Sequence, residues 1–295
     1  MSSWSSRVLA CALSLSVTAC AVHDGGGPVP CTRAHGLLFV TVAWGGEPPL
    51  LALLDTGANA SALSERRGAS LRAIENGTVV GTTGTLAAEI VEVAGLRLGT
   101  LELPTLRATR RNLAGLLSPD DRPVDMILGS DAFAGMRLTI DFVRCELRVQ
   151  ASAAATGDGT TLGIDDGIPT IMATIHGEPA ELRIDTGASL FASADVYVNV
   201  PAALWERLRQ RDASLAPERH FLGTGADGKS VQLPVARVED VRIGPRDLAS
   251  AWLIVQPEVG YFAAADAKGF VGNNFLEKLG CVTLDFGNRR FLAGQ

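Results

Sequence analysis

The chain has 295 residues, room for two domains of ordinary size, and 47% of them are hydrophobic against 20% charged, a balance that excludes an intrinsically disordered chain. The net charge is -6 and the 26 Lys and Arg residues form no clusters, which argues against nucleic acid as a partner. The four histidines are scattered, so neither Cys/His metal spacing nor a Cys-His catalytic pair is visible, and no metal or cofactor is called for.

Residues 1–20 read as an export signal. Arg7 supplies the positive start, Val8 to Val17 an apolar run too short to span a bilayer, and Val17-Thr18-Ala19-Cys20 the small residues of a cleavage site. That tetrapeptide resembles the lipobox of bacterial lipoproteins. The resemblance implies a periplasmic protein lipidated at Cys20, with Ala21 rather than Asp after it favouring the outer membrane, and the alternative is an ordinary cleaved signal. Residues 21–35 are rich in Gly and Pro and read as a flexible tether. An oxidising compartment permits a disulfide, but Cys31, Cys145 and Cys281 leave one thiol over. Cys31 with Cys145 is the expected pair, since both flank terminal segments of the same half.

Leu37 to Val42 is β-rich, Trp44 to Pro49 is turn material, and Leu50 to Leu54 is a second strand that delivers Asp55 at its end. A short helix is predicted over Ala62 to Ala73. Thr78 to Leu86 predicts a hairpin with Gly81-Thr82-Thr83-Gly84 at its tip. Strands are expected at Ile90 to Val93, Leu96 to Leu98 and Leu106 to Ala108, then a turn-rich stretch, the segment Met126 to Gly129, and a hairpin of Leu138 to Phe142 with Glu146 to Val149. Residues 151–163 are small, polar and glycine-bearing, as a linker is.

The second half then repeats the first. Leu53-Leu54-Asp55-Thr56-Gly57-Ala58 returns as Arg183-Ile184-Asp185-Thr186-Gly187-Ala188, and the flanks correspond as well. Upstream, Gly36 to Val42 and Gly46-Glu47-Pro48 match Gly167 to Ile175 and Gly177-Glu178-Pro179. Downstream, Met126 to Phe133 matches Gly269 to Leu276, and Leu138 to Phe142 matches Val282 to Phe286. The chain is a duplicated domain, with halves at 36–150 and 164–295. The second hairpin tip falls at Gly223-Thr224-Gly225, and Val200 to Arg209 adds a helix with Pro201 at its first position. Asp141 and Asp285 also repeat, each before an apolar residue and a hairpin turn, and read as turn residues. Trp44, Trp205 and Trp252 read as core or cleft-wall packing.

Two copies of Asp-Thr-Gly-Ala, each followed by apolar-apolar-Gly, resemble the aspartic peptidases, each half being similar to one retropepsin protomer. The resemblance covers nearly all of the chain after the signal. It implies a mostly β, bilobed acid-protease fold made of two duplicated retropepsin-like β-barrel lobes with short helices. It further implies a monomer with one active site in the cleft, acting as an endopeptidase on extended polypeptide, with envelope proteins the expected substrates and the membrane touched only through the lipid anchor. Asp55 and Asp185 become the catalytic pair. Thr56 and Thr186 are implied to reach across to the opposite lobe's backbone, and Gly57 and Gly187 to allow the tight turn. Gly129 and Gly272 let a strand pass close behind the catalytic loops, and the tips Gly81-Thr82-Thr83-Gly84 and Gly223-Thr224-Gly225 are flaps over the substrate. The alternative is a non-catalytic peptide-binding envelope module that keeps the cleft.

The chemistry needs both carboxyls. One must take a proton from water while the other gives a proton to the carbonyl oxygen, and two carboxyls in close contact cannot both ionise, so they share a proton and titrate as a pair. Pepsin-group sites commonly carry Ser or Thr where Ala58 and Ala188 stand, as in retropepsins. Without those hydroxyls each carboxylate loses a stabilising donor, which predicts a rate profile peaking in the mildly acidic range, about pH 5 to 6.5, unless Ser61 or Ser189 supplies the bond.

Overall fold

The computed structural model describes residues 27–116, 118–153, 159–190, 195–225 and 230–294. The export signal expected over residues 1–20, Cys20 and the end of the second tip beyond Gly225 lie outside the described residues. The first half holds β1 (Val29–Ala34), β2 (Leu37–Trp44), β3 (Glu47–Leu54), β4 (Ala62–Ser64), β5 (Ala73–Val80), β6 (Thr85–Val93), β7 (Leu96–Leu98), β8 (Leu101–Glu102), β9 (Leu106–Arg111), β10 (Met126–Leu128), β11 (Met136–Asp141) and β12 (Glu146–Ala151). The second holds β13 (Thr160–Thr161), β14 (Gly163–Asp165), β15 (Ile168–Ile175), β16 (Glu178–Ile184), β17 (Tyr197–Pro201), α1 (Ala202–Arg211), β18 (Arg219–Thr224) and β19 (Ser230–Ile243). It ends with β20 (Arg246–Gln256), β21 (Gly269–Val271), α2 (Asn273–Leu276), β22 (Cys281–Asp285) and β23 (Arg290–Ala293). The fold is mostly β, in two sheets: one holds the strands of the first half together with β13, β22 and β23, and the other holds the remaining strands of the second half.

The lobes follow one plan. The antiparallel hairpins β2–β3 and β15–β16 each end at an aspartate. A three-residue strand lies parallel to the last strand of each hairpin, in register Leu54↔Leu128 and Ile184↔Val271. That strand pairs antiparallel with β4 in one lobe and β17 in the other, and these run parallel to β9 and β20. Alternation along β3 explains its apolar run. Leu50, Ala52 and Leu54 enter the main core, while Leu51 and Leu53 enter a second apolar cluster on the face that Asp55 shares.

The two lobes join through their last hairpins. Strands β11 and β22 pair antiparallel about Thr139↔Thr283, whose hydroxyls lie 2.8 Å apart. Leu138, Ile140, Val282 and Leu284 are fully buried there, and Arg137 Nε and Nη2 cross the junction to donate to Asp285 Oδ2 at 3.0 and 2.8 Å. Asp141 and Asp285 also hold the turns that follow them, since Asp141 Oδ1 accepts from the N–H of Val143 and Arg144, and Asp285 Oδ1 from the N–H of Asn288.

Three expectations need correction. The tether over 21–35 is too long, because Val29–Ala34 is strand β1, paired with both β2 and β12 and tied by a Cys31–Cys145 disulfide. No helix forms over Ala62 to Ala73. Instead Ala62–Ser64 fills the gap between β9 and β10, a turn follows in which Ser64 O accepts from Arg67 and Gly68, and long-range pairing overrides local preference. The linker is shorter than 151–163, since β13 pairs with β23 and β14 opens at Gly163. The helix α1 does form, burying Leu204, Trp205 and Leu208, with Pro201 just before its first residue.

Candidate active site

Asp55 and Asp185 follow directly on β3 and β16, where parallel pairing holds the backbone: Asp55 N–H donates to Leu128 O at 3.0 Å and Asp185 N–H to Val271 O at 2.9 Å. The chain then turns sharply, and each turn is closed by its own carboxylate. Asp55 Oδ1 accepts from the N–H of Gly57 and Ala58 at 3.0 and 3.1 Å, and Asp185 Oδ1 from that of Gly187 at 2.9 Å. The glycines are there for close approach. Any Cβ at Gly57 would lie 2.7 Å from Asp185 Oδ2, and one at Gly187 would lie 2.7 Å from Asp55 Oδ2, so each carboxyl rests on the opposite lobe's glycine.

Thr56 and Thr186 are fully buried between the loops. Thr56 Oγ1 accepts from Thr186 N–H at 3.1 Å and donates to Ile184 O at 2.6 Å, and Thr186 Oγ1 accepts from Thr56 N–H at 3.0 Å and donates to Leu54 O at 3.0 Å. The next layer repeats the symmetry with different residues. Ser130 Oγ donates to Thr56 O at 2.6 Å, and Asn273 Nδ2 to Thr186 O at 2.9 Å. Behind the loops a Cβ at Gly129 would lie 2.8 Å from Ala58 O, and one at Gly272 would collide with Ala188 O, so both positions exclude a side chain.

Burial raises the pKa of both aspartates above the ordinary carboxylate value, and the pair splits. Asp185 is pushed up further, by burial, by the charge of Asp55 and by donating its proton in a hydrogen bond to the Asp55 carboxylate. That bond, the N–H groups of Gly57 and Ala58 and the charge of Arg111 partly offset the burial of Asp55. The two carboxyls therefore hold a proton between them and titrate as a pair.

Arg111, at the end of β9, is a participant that sequence reasoning missed. It is 9% exposed, burial lowers its pKa, and the charge of Asp55 opposes that shift. Asp131 is another: burial raises its pKa against the hydroxyl of Ser61, which donates to Asp131 Oδ1 at 2.7 Å and accepts from Gly129 N–H at 3.0 Å. Ser61 is therefore committed behind the loop rather than to Asp55, and Ser189 Oγ stands 3.5 Å from Asn274 Oδ1.

The two hairpin tips meet each other. Gly81 to Gly84 join β5 to β6, with Gly81 N–H donating to Gly84 O at 2.8 Å. Gly223 and Thr224 end β18, and a Cβ at Gly225 would lie 2.8 Å from Thr83 Cβ, so the two tips touch. The first tip also docks on the other lobe, where Tyr261 N–H donates to Gly81 O at 2.9 Å. Gly260 beside it has φ +55, and a side chain there would strike Gly81 O.

A search of curated proteins finds no match for the chain. The segment 40–132, which holds Asp55, the first hairpin tip and the strand behind the first Asp-Thr-Gly loop, matches the model of a family described as aspartyl protease.

Proposed function

We propose that the protein is an aspartic-type endopeptidase. The observation that carries this reading is the geometry of the pair: two buried carboxyls from duplicated loops, each resting on the opposite lobe's glycine, with burial raising the pKa of both. Asp55 takes a proton from water as its oxygen attacks the peptide carbonyl carbon, and Asp185 gives its proton to the carbonyl oxygen, forming a gem-diol. The charges of the pair have then exchanged. As the C–N bond breaks, Asp55 passes its proton to the leaving nitrogen and Asp185 recovers one from a diol hydroxyl, which restores the starting state. The family match over 40–132 supports the same chemistry.

Within this reading Thr56, Gly57, Thr186 and Gly187 fix the geometry of the loops, Gly129 and Gly272 admit the strands behind them, and the two tips close over an extended chain. The export signal and Cys20 support a lipid-anchored periplasmic location, with envelope proteins as substrates. The test is cleavage of an unfolded protein by the purified enzyme, blocked by pepstatin-type inhibitors. A folded preparation that cuts no unfolded protein between about pH 3 and pH 8 contradicts the reading. Membrane fractionation of Cys20→Ala checks the anchor, with release into the soluble fraction expected.

A further inference from the structure

The two copies of the motif differ next to the aspartate, where Arg183 stands in place of Leu53. Each of these residues lies two before its aspartate, on the same face of the strand. On the Asp55 side Leu53 pairs with Ile127, and Ile127 with Ala62. All three belong to one buried apolar cluster with Leu113 and Val124, against which the partly exposed Ala58 and Leu116 pack. Arg111 shares that wall but is 9% exposed, with its charge set against that of Asp55.

On the Asp185 side the same pairings bring together Arg183, Phe270 and Asn199. Arg183 Nε and Nη2 donate to Asp165 Oδ2 at 2.9 and 2.7 Å, and Lys268 Nζ lies 3.1 Å from Asp165 Oδ1 and 3.7 Å from Glu181 Oε2. The guanidinium lies 4.1 Å from the centre of the Tyr261 ring, and Tyr261 N–H holds the flap tip through Gly81 O. The Arg183–Tyr261 stack therefore links the strand that delivers Asp185 to the first hairpin tip.

We infer that the cleft reads its substrate asymmetrically, taking an apolar side chain on the Asp55 side of the scissile bond and a hydrogen-bond-accepting one (Asp, Glu, Asn or Gln) on the Asp185 side. Arg183 and Lys268 are the specificity-determining residues of the second position. This rests on the peptidase reading. Successive side chains of an extended chain point to opposite faces, so the residues flanking the scissile bond meet opposite walls. Asp165 already receives Arg183 and Lys268, so what the cluster offers a ligand is N–H donors on side chains 14% and 22% exposed. An apolar group pressed there strips water from charged donors and returns no hydrogen bond.

The experiment compares kcat/KM for paired peptides that differ only in Gln against Leu at that position, together with mass-spectrometric mapping of cleavage sites in a denatured protein. Wild type should favour Gln by about tenfold. Arg183→Leu with Asp165→Asn, which restores the first lobe's leucine and removes the carboxylate facing it, should favour Leu. Lys268→Met serves as a second, milder variant and should narrow the preference; thermal unfolding confirms that each is folded. Wild-type cleavage between two apolar residues, or an unchanged preference in folded variants, overturns the inference alone. Failure to cut any peptide overturns the peptidase reading and this inference with it.

Discussion

Thr56 and Thr186 lie 130 residues apart in sequence, and the hydroxyl of each accepts the other's backbone N–H while donating to a carbonyl of the opposite lobe. Four hydrogen bonds between fully buried groups set how far apart the two aspartates stand. Thr56→Val keeps the shape and deletes the hydroxyl, leaving Thr186 N–H and Ile184 O unpaired, each at about 1–3 kcal/mol. Chemical denaturation should show a loss of about 2–4 kcal/mol, with kcat falling more than KM changes. Thr56→Ser should recover most of both.

The protonation of Asp185 makes stability depend on pH in the direction opposite to an ordinary ion-paired carboxylate. Its unfolded value is 3.8 and its folded value lies well above that. Below 3.8 the group is protonated in both states. As pH rises past that value the unfolded chain ionises while the native state keeps its proton, so this group's contribution falls with pH until the folded value is passed. Asp185→Asn removes the dependence. The variant's stability relative to wild type should therefore grow as pH rises above about 4, until the folded value is passed, measured by urea unfolding.

Arg111 lowers the pKa of Asp55 against the upward pull of burial. The wild-type profile should peak at about pH 5 to 6.5, limited on the acid side by ionisation of Asp55 and on the basic side by loss of the Asp185 proton. Gln256 ends β20 as Arg111 ends β9, paired with Pro201 as Arg111 pairs with Ser64. Arg111→Gln should move the acid limb of kcat/KM to higher pH and leave the basic limb nearly in place.

The first hairpin tip meets the second lobe at Gly260, where φ is +55 and a Cβ would lie 2.7 Å from Gly84 N. Gly260→Ala should push the tip away and break the bond from Tyr261 N–H to Gly81 O. KM for an unfolded protein should rise several-fold with little change in thermal stability, because the contact is made by a loop and not by the core.

Much of this was legible in the chain because duplication supplies its own control. Asp55 and Asp185, the paired threonines and the two backing glycines stood out as repeats, and their geometry follows from short motifs. The turn aspartates Asp141 and Asp285 and the tip Gly81-Thr82-Thr83-Gly84 were local signals of the same kind. What escaped depends on distant partners. Ala62–Ser64 has the composition of a helix start and becomes a strand only because β9 and β10 flank it. Val29–Ala34 looked like tether because its order comes from β2, β12 and Cys145. Arg111 lies 56 positions from the aspartate whose charge it balances, with no pattern linking the two. Arg183 stands where the first copy has Leu53, and what it does depends on Asp165, Lys268 and Tyr261, which come from elsewhere in the chain.

The central claim is that Asp55 and Asp185 form one catalytic unit, and the most direct measurement is kcat/KM for cleavage of an unfolded protein by wild type, Asp55→Asn and Asp185→Asn. Because each carboxyl performs a step the other cannot, either substitution alone should lower the rate by at least about a thousandfold, and the double variant should be no worse than the singles. A folded single variant that keeps more than about a tenth of wild-type activity contradicts the account.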